Sequence, residues 1–375
     1  MGKHLVLIGA GHAHLTCLKS LRNFTARGHE VTVIGPDTHH YYSGMGPGML
    51  GQTYSPKEIR FNSQRMAEGG GARFVKGMVS QVQPGERKLV LASGEEIPYD
   101  VVSFNIGSGI PKDKVTIQQD TGVFTVKPIE QLLRAQKAIL EKLGDKTLEI
   151  VVVGGGPAGV EISGNLWRLV TRHNGKMNLS LVAGRRLMSD FPEKVRTSVL
   201  SSYQRRGLRV IEGSHLTEIQ AGKATLTDGR ELPFDLLFLA LGVQPPRLFV
   251  DSGLPTGPDG GLLVNEFLQS VAHPEIFGGG DCIYFQPRPL DKVGVYAVRQ
   301  NPILLDNLLA ALEGWTLKPF TPQESYLLIF NLGDGRGIFW RKKFVFDGRL
   351  AFMLKDYIDR SFMRKFQISG ELQEK

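Results

Sequence analysis

The sequence predicts an α/β protein in which one βαβ unit is inserted into another, with a small α+β segment after them. Three observations support this prediction. A strand, a glycine-rich turn, a helix and a second strand occur in that order twice, starting at His4 and at Leu148. A further strand at 276–277 comes only after the second unit has ended, and hairpin-like runs replace this pattern from Trp315 onward.

The first unit begins with the run HLVLI at His4–Ile8, whose unbroken apolar character is typical of a buried parallel strand. A glycine-rich turn follows, then a helical stretch that ends near Gly28, then the strand 30–34. The second unit repeats this order. Its first strand is LEIVVV at 148–153, and the helix after the glycine turn extends to about Thr171, before the strand 178–182.

Two more strands, 101–106 and 236–241, are each followed by glycine, at Gly107 and Gly242. Ligands in open α/β sheets bind at the carboxyl ends of the strands, so these glycines are candidate ligand contacts. The simplest topology returns the chain to the first unit after the second. The predicted boundaries are 1–115 and 258–315 for the first domain, 116–257 for the inserted domain and 316–375 for the α+β segment.

Composition excludes several classes of protein. The first strand starts almost at Met1, which leaves no room for a signal sequence, and no apolar stretch is long enough to cross a bilayer. We therefore expect a cytoplasmic protein. Cys17 and Cys282 give neither a disulfide framework nor a metal-ligand cluster. The 45 basic residues exceed the 37 acidic ones by 8, but they are dispersed, so we expect no nucleic-acid partner.

The turn of the second unit carries the pattern G-x-G-x-x-G. Gly154, Gly156 and Gly159 fill its glycine positions, with Pro157 and Ala158 between the last two. Such glycines allow a tight turn, close approach of the backbone to a pyrophosphate, and close packing of helix on strand. Because the pattern follows a strand and opens a helix, it predicts a dinucleotide site rather than a structural turn.

Glu161 is the first carboxylate on the helix that follows this turn. It is a candidate for a role near the ligand, and its alternative interpretation is a carboxylate that interacts with the helix dipole.

The turn of the first unit, Gly9-Ala10-Gly11-His12-Ala13-His14, supplies the first two glycines and has His14 in place of the third. The third glycine serves helix packing, so its loss is the most tolerable of the three. Gly9, Gly11, His12 and Ala13 are candidate cofactor contacts. His12 and His14 lack a nearby cysteine or carboxylate cluster, which favours a role at the helix start over metal binding.

An acidic residue that holds the ribose is expected at the end of the second strand of each unit. In the first unit Asp37 follows Gly35 and Pro36, whereas the second unit has no acid there and reads Ala183-Gly184-Arg185-Arg186. Arginines at this place suit a 2′-phosphate and favour NADPH over NADH, although solvated surface arginines are the alternative.

The sequence resembles the pyridine nucleotide-disulfide oxidoreductase superfamily, and within it type II NADH dehydrogenase-like proteins, especially the flavoprotein module fused to selenide, water dikinases. The resemblance spans nearly the whole chain. The segments that carry it are GAGHAH at 9–14, YSGMGPG at 42–48, YDVV at 99–102 with NIGS at 105–108, Gly280-Asp281, GVYAVRQ at 294–300, YLL at 326–328 with GDG at 333–335, and LKDYIDR at 354–360.

This resemblance implies FAD in the first unit and NADPH or NADH in the inserted one. It places Gly280 and Asp281 at the ribityl or phosphate region of the flavin, and Ala297 and Gln300 at its acceptor side, with Ser43, Gly44 and Pro47 lining the ring from the other side. Glu161 and Gln300 are the side chains expected, by analogy, near the nicotinamide and the acceptor.

Thiol chemistry is not expected, because neither Cys17 nor Cys282 has a partner cysteine placed to work with it. The predicted activity is hydride transfer from NAD(P)H to flavin, followed by electron transfer to a small acceptor such as a quinone. Two alternatives stay open, a flavin-binding regulatory or partner module with little turnover and an enzyme similar to sulfide:quinone reductases.

The stretch 351–366 has apolar residues mostly at helical spacing with basic residues between them. It is either an interfacial helix that docks on a membrane or a lid packed over the flavin or across a homodimer. A docked helix would place the protein peripherally on the inner face of the membrane.

Overall fold

The computed structural model describes residues 2–111, 115–118, 121–144 and 146–374. Within them the helices are, in chain order, α1 (Leu15–Lys19), α2 (Arg22–Thr25), α3 (Gly46–Leu50), α4 (Ser63–Gly69), α5 (Glu130–Lys142), α6 (Pro157–Arg172), α7 (Glu193–Arg205), α8 (Leu248–Asp251), α9 (Gly294–Glu313) and α10 (Arg349–Phe366). None of these described helices is long and apolar enough to span a membrane.

The strands are, in chain order, β1 (His4–Ile8), β2 (Glu30–Gly35), β3 (His39–Tyr41), β4 (Arg60–Asn62), β5 (Arg73–Lys76), β6 (Val79–Gln83), β7 (Lys88–Leu91), β8 (Glu96–Pro98), β9 (Val101–Phe104), β10 (Thr116–Ile117), β11 (Val123–Thr125), β12 (Thr147–Val153), β13 (Lys176–Val182), β14 (Arg209–Ile211), β15 (Leu216–Gln220), β16 (Lys223–Leu226), β17 (Glu231–Pro233), β18 (Leu236–Leu239), β19 (Leu262–Val264), β20 (Ile276–Gly278), β21 (Ile283–Phe285), β22 (Leu328–Asn331), β23 (Gly337–Arg341) and β24 (Phe344–Gly348).

Five parallel strands form the first sheet, in the order β20-β9-β1-β2-β5. Leu5 of β1 lies opposite Val31 of β2 and Val101 of β9. The central strands β9, β1 and β2 are mostly apolar and almost entirely buried, as expected for a parallel sheet that is covered on both faces. Because β20 comes after the strands of the second sheet, the chain leaves the first sheet and later returns to it.

The second sheet is also parallel and has the order β11-β18-β12-β13-β14. In each unit a small, mainly antiparallel sheet precedes the strand that returns to the large one: β6–β8 precede β9, and β15–β17 precede β18. The predicted fold class, two Rossmann-like units with the second inserted into the first, is confirmed. The boundaries at 115, 258 and 315 stay predictions.

One element departs from its prediction. The helical stretch expected to run to about Gly28 is broken into the short helices α1 and α2. Ser20 ends α1, and its backbone N–H donates to the carbonyls of Thr16 and Cys17. Serine and asparagine compete with helical hydrogen bonding, and Ser20 and Asn23 lie in this region.

The residues after α9 contact both units. The antiparallel sheet β22-β23-β24 packs on α6, and α10 packs on the first unit. A Cβ atom on Gly164 of α6 would lie only 2.2 Å from the Leu332 carbonyl oxygen. Phe191 of the second unit makes edge-to-face contacts with Phe330 and Trp340. The small α+β segment therefore bridges the two units.

Candidate functional site

The first glycine turn, which follows β1, approaches the strand ends of the first sheet closely. Gly9 has a φ of +83°, and a Cβ on it would lie 2.4 Å from the Asn105 carbonyl oxygen. A Cβ on Gly11 would be 2.4 Å from Asn105 Oδ1, which accepts a hydrogen bond from Ala13 N at 2.9 Å. Asn105 Nδ2 also donates to the Gly279 carbonyl at 2.6 Å. The asparagine thus ties the turn to the ends of β9 and β20.

His14 occupies the third glycine position with its ring turned into the core. Its Nδ1 is 2.6 Å from the Gly9 carbonyl oxygen, and its Nε2 is 2.8 Å from Ser103 Oγ. Burial lowers the pKa of His14 to about 4, so the ring is neutral near pH 7. The His14 side chain does not cap α1, and its two hydrogen bonds instead support the turn from the core side. The described residues contain no group of three side chains that could hold a metal ion.

His12 is buried, and its Nε2 has no hydrogen-bond partner among the described residues. Its ring makes edge contacts with His40, Tyr42 and Phe362, at centroid distances of 5.9, 5.0 and 5.8 Å. Burial lowers the pKa of His12 to about 4 and that of His40 to about 3, so both rings are neutral near pH 7. The orphaned Nε2 of His12 fits a site completed by a polar ligand.

Asp281 follows β20 and holds an ion pair that joins the two units. Its Oδ2 accepts hydrogen bonds from Lys127 Nζ at 2.8 Å and from Ser108 Oγ at 2.9 Å. Burial by itself raises the pKa of this carboxyl, but Lys127 and Ser108 hold it below its usual range. The carboxylate is therefore ionised, and its second oxygen, Oδ1, can accept a hydrogen bond from a ligand hydroxyl.

Open space lies at the carboxyl ends of the strands of both sheets. A Cβ on Gly107, Gly156 or Gly242 would meet no atom of the described residues within 4 Å. A dinucleotide needs such room against the backbone. With the ionised Asp281 and the orphaned His12 Nε2, the residues fit FAD in the first unit.

The second glycine turn is tighter than the first. Gly154 has a φ of +134°, and its Cβ would lie 2.1 Å from the Ala240 carbonyl oxygen, while a Cβ on Gly159 would lie 1.8 Å from the Gly154 carbonyl oxygen. Pro157 opens α6 at its first position, and the exposed Ala158 follows it. The N-terminus of α6 is thus open to a phosphate, as a dinucleotide requires.

The ribose positions differ between the units. Asp37 is exposed, and its Oδ1 accepts from Thr38 N at 2.7 Å, which is the main reason that its pKa is lowered. In the second unit Arg186 is engaged by Glu193. The guanidinium of Arg185 is exposed and makes no hydrogen bond or ion pair with any described residue. Arg185 is therefore the better placed of the two arginines to bind an added phosphate.

A buried polar cluster lies where the two units meet α10. Lys355 Nζ donates to the Gly44 carbonyl at 2.9 Å and to Asp359 Oδ2 at 2.9 Å. Tyr42 Oη donates to Asp359 Oδ1 at 3.1 Å. Glu161 Oε1 accepts from Asn331 N at 2.7 Å instead of capping α6.

The charges of this cluster depend on one another. Burial raises the pKa of Glu161, which Lys355 partly opposes. Burial alone lowers the pKa of Lys355, but Asp359 and Glu161 raise it above its usual value, so the lysine is a cation. A buried ammonium that its carboxyl neighbours keep charged can donate a hydrogen bond or a proton to an anion that forms on a bound acceptor.

The remaining predicted contacts are mostly buried. Gln300 Oε1 accepts from Gly280 N at 2.7 Å, which fixes the glycine beside Asp281. Ala297 lies on the same helix, α9, three residues before Gln300, and is also buried. Ser43 and Gly44 lie in a 3-10 turn that leads into α3, which contains the buried Pro47.

Sequence reasoning missed Asn105, Lys127, Lys355 and Asp359 as site residues. A signal was available for the last two, because a lysine and an aspartate four residues apart on one helix form a pair. Lys127 and Asp281 are 154 residues apart, and no local pattern connects them.

The two cysteines are buried and far apart in the chain. Cys282 Sγ lies against the carbonyls of Phe104 and Gly279, and burial raises its pKa to about 11. Burial also raises the pKa of Cys17. Neither is a reactive thiolate near pH 7.

Comparisons with known proteins identify the family of this fold. The family described as pyridine nucleotide-disulphide oxidoreductase matches residues 3–300. Ferroptosis suppressor protein 1 of Xenopus tropicalis is 25% identical over 358 residues, which cover 89% of this chain and 88% of that protein. The type II NADH:quinone oxidoreductase of Haemophilus influenzae is 28% identical over 231 residues, covering 53% of this chain and 52% of that protein.

Two solved structures share the fold. NDH2 from Plasmodium falciparum in complex with NADH has a TM-score of 0.82 at 14% identity, covering 99% of this chain and 98% of that one. The sulfide:quinone oxidoreductase of Aquifex aeolicus has a TM-score of 0.81 at 16% identity, covering 98% and 92%. The expected class of enzyme and the expected cofactors, FAD with NADH or NADPH, are those of the matching family. Because that family covers well over half of its length, the chain belongs to the pyridine nucleotide-disulphide oxidoreductases.

Proposed function

We propose that this protein uses FAD to take hydride from NAD(P)H and to pass the electrons to a quinone-like acceptor. The observation that carries the proposal is the buried cluster of Lys355, Asp359, Tyr42 and Glu161 at the junction of the two units. Reduction of a quinone to a quinol consumes two electrons and two protons, whereas a hydride brings two electrons and one proton. The acceptor therefore needs a proton source, and this cluster supplies one.

The chain's own residues have distinct roles in this proposal. FAD, when bound, supplies the two-electron chemistry. Asp281, paired with Lys127, holds the polar part of the flavin, and the glycine turn at 154–159 receives the pyrophosphate of NAD(P)H. Lys355, fixed on Gly44 and Asp359, donates a proton toward the acceptor, and the nearby Glu161, whose pKa burial raises, serves as the proton reserve.

A non-thiol mechanism is part of the proposal. Both cysteines are buried with raised pKa values, so neither serves as a nucleophile or as half of a redox pair. This disfavours the alternative that the chain works like a thiol-dependent sulfide:quinone reductase. The other alternative, a partner module with little turnover, draws on the lack of an acidic residue at 183–186, where the second unit would hold a ribose.

The outer face of α10 supports peripheral docking on a membrane, where lipophilic quinones dissolve. Leu350, Met353 and Tyr357 on this face are exposed by 73%, 62% and 66%, and Phe344 of the neighbouring β24 is exposed by 76%. The β23–β24 turn adds the basic run 341–343 beside them. Exposed apolar side chains next to a basic run fit an anionic bilayer surface. The protein would then lie on the inner face of the membrane.

The test is rapid mixing under anaerobic conditions, with the two half-reactions followed separately through the flavin absorbance. We expect Lys355→Met to slow reoxidation by a soluble quinone about a hundredfold or more, the scale of a lost proton donor, and to leave reduction by NAD(P)H nearly unchanged. Glu161→Gln should slow reoxidation less, and the Cys17→Ser/Cys282→Ser double variant should retain both half-reactions. Lys318→Met, which removes the exposed partner of Asp306, is the control.

Equal quinone rates for wild type and Lys355→Met would overturn the proton route. Slow flavin reduction by both NADH and NADPH, with no turnover of any quinone, would favour the partner module. Loss of all acceptor reduction in the double serine variant, with hydride uptake intact, would show that the non-thiol mechanism is wrong.

A further inference from the structure

The segment 367–374, which follows α10, is fastened to the first unit through one carboxylate. Glu374 Oε2 accepts from His39 Nε2 at 2.9 Å and from Arg60, and Oε1 accepts from Asn62 Nδ2 at 2.6 Å. Arg65 Nη1 lies 3.3 Å from Oε1. The side chain of Glu374 is only 9% exposed. Four donors thus converge on a single acid.

A second set of contacts fastens the same segment beside this acid. Gln367 Nε2 donates to the carbonyls of Lys57 and Arg60 at 2.8 and 2.9 Å. Glu371 is buried, and its Oε1 accepts from Asn62 N at 3.1 Å. The backbone carbonyl of Glu374 accepts from Lys57 Nζ. The segment therefore covers the outer side of the two-stranded β3–β4 sheet.

The inner side of the β3–β4 sheet belongs to the predicted flavin site. Successive residues of a strand point to opposite faces, so His39 reaches Glu374 while His40 contacts the ring of His12. Thr38 Oγ1 is 3.0 Å from His39 Nδ1, and Thr38 N donates to Asp37, the predicted ribose contact. Contacts on the outer side of the β3–β4 sheet are therefore made by residues adjacent in the chain to those expected to surround FAD.

We propose that residues 367–374 form an ionic clasp that holds the two-stranded β3–β4 sheet over the flavin site, and that the clasp opens when FAD is exchanged. The proposal rests on FAD binding by the first unit and adds a control over cofactor retention. The same clasp anchors the end of α10, the helix that carries Lys355 and Asp359.

The charges favour a closed clasp under ordinary conditions. Burial by itself raises the pKa of Glu374, but its hydrogen bonds from Asn62, His39 and Arg60 lower it to about 2. The titratable and charged groups that face it are His39 on β3, Arg60 on β4, Arg65 on α4 and Lys57 before β4, with Glu371 on the segment itself. Glu374 itself is therefore ionised near neutral pH, and raising the ionic strength, which screens its contacts with the two arginines, should loosen the clasp.

The test measures how fast holoprotein releases FAD, from the rise in flavin fluorescence when an excess of a nonfluorescent flavin competitor occupies the emptied sites and prevents rebinding. We expect Glu374→Gln to release FAD about tenfold faster than wild type, since a charge-assisted hydrogen bond is worth about that factor. Glu374→Lys should release it faster still. Glu313→Gln is the matched control, because Glu313 also accepts from a histidine, His29, at 3.2 Å and faces an arginine.

The salt dependence of FAD release is a second measurement, and wild type alone already gives an informative result. Raising the salt from about 0.05 to about 0.5 M should speed FAD release from wild type and from Glu313→Gln, and should affect Glu374→Gln much less. Far-ultraviolet circular dichroism of the apoproteins checks that each variant is folded. If Glu374→Gln does not fold, the salt dependence of wild type alone decides, and a flat response overturns the clasp.

Release of FAD from Glu374→Gln at the wild-type rate also overturns the clasp and leaves the proposed function intact. A protein that binds FAD and shows the expected release rates but reduces no quinone would fail as the proposed enzyme and keep the clasp. Absence of any bound FAD overturns both.

Discussion

At the scale of single residues, the first glycine turn shows how a departure from a sequence pattern can be accommodated. His14 stands where glycine belongs, and its ring fills the space below the turn by bridging the Gly9 carbonyl and Ser103. The pattern G-x-G-x-x-G specifies glycines because side chains at those positions would obstruct the phosphate or the packing of the helix on the strand. A side chain that points into the core leaves the phosphate side free.

Asp281 should determine how well FAD is retained. Replacing it by alanine removes a buried ionised acceptor, and such hydrogen bonds contribute about 1.5–3 kcal/mol, or roughly ten- to a hundredfold in the Kd of FAD. Titration of apoprotein with FAD measures this. Asp306→Ala, which breaks an exposed ion pair with Lys318, is the control and should leave the Kd unchanged.

Lys127→Met should make FAD binding sensitive to pH. Lys127 holds the pKa of Asp281 below its usual range, so the wild-type carboxylate stays ionised between neutral pH and about pH 5. Without the cation the pKa of Asp281 rises, the carboxyl takes up a proton as the pH falls, and FAD should bind more weakly at about pH 5 than at neutral pH. A flat profile for the variant would show that Lys127 does not control this charge.

Arg185 should set the choice between NADPH and NADH. Its guanidinium is exposed and makes no hydrogen bond or ion pair within the part of the chain that the structure describes, whereas Arg186 is engaged by Glu193. We expect Arg185→Ala to weaken NADPH by about tenfold or more and NADH little, and Arg186→Ala to have a smaller effect. Reductive half-reaction titrations with both nucleotides measure the difference. A strong wild-type preference for NADH would show that another residue holds the ribose.

At the scale of elements, α10 bears on a choice that the sequence left open. Its apolar periodicity allowed a membrane-facing helix or a lid over the flavin site. The structure has one face of α10 directed inward with Lys355 and Asp359, while Leu350, Met353 and Tyr357 lie exposed on the other. The inward face agrees with the lid, and membrane contact by the outward face stays a prediction.

Changing the outward face should separate these roles. In a Leu350→Ser/Met353→Ser/Tyr357→Ser variant, binding to vesicles with anionic lipid should fall, because the loss of buried apolar area weakens interfacial docking. Reduction of soluble quinones should be unchanged and that of lipophilic quinones slower. Sedimentation with vesicles measures binding. A variant that slows all quinones equally would indicate that the face has only a structural role.

At the scale of the whole molecule, the residues after α9 fix the two units relative to each other. The sheet β22–β24 packs on α6 of the second unit, and α10 packs on the first. Asn331 N donates to Glu161, and Arg206 donates to the Leu332 carbonyl at 2.7 Å. The buried cluster around Lys355 exists only because this segment brings its side chains between the units.

Gly164→Val tests this bridge. A Cβ at this position would lie 2.2 Å from the Leu332 carbonyl oxygen, so the hairpin must move away, at a cost of about 1–3 kcal/mol for overpacking. We expect a lower Tm and slower hydride transfer in the loaded protein. Gly69→Val is the helical control, since a Cβ there would meet no atom of the described residues within 4 Å. Equal behaviour of the two variants would argue against the bridge.

The sequence by itself determined the two parallel sheets and the insertion of one unit into the other, because apolar strand runs and glycine turns are local patterns. It also indicated Gly154, Gly156 and Asp281 as candidate contacts, although their roles stay predictions. Only the tertiary structure brought Lys127 to Asp281, Lys355 to Gly44 and Glu374 to His39. The two members of each pair are far apart in the chain, by 154 positions or more. Each pair is joined by a hydrogen bond of 2.8–2.9 Å with at least one ionised partner, and no local periodicity records which distant residues the fold will bring together.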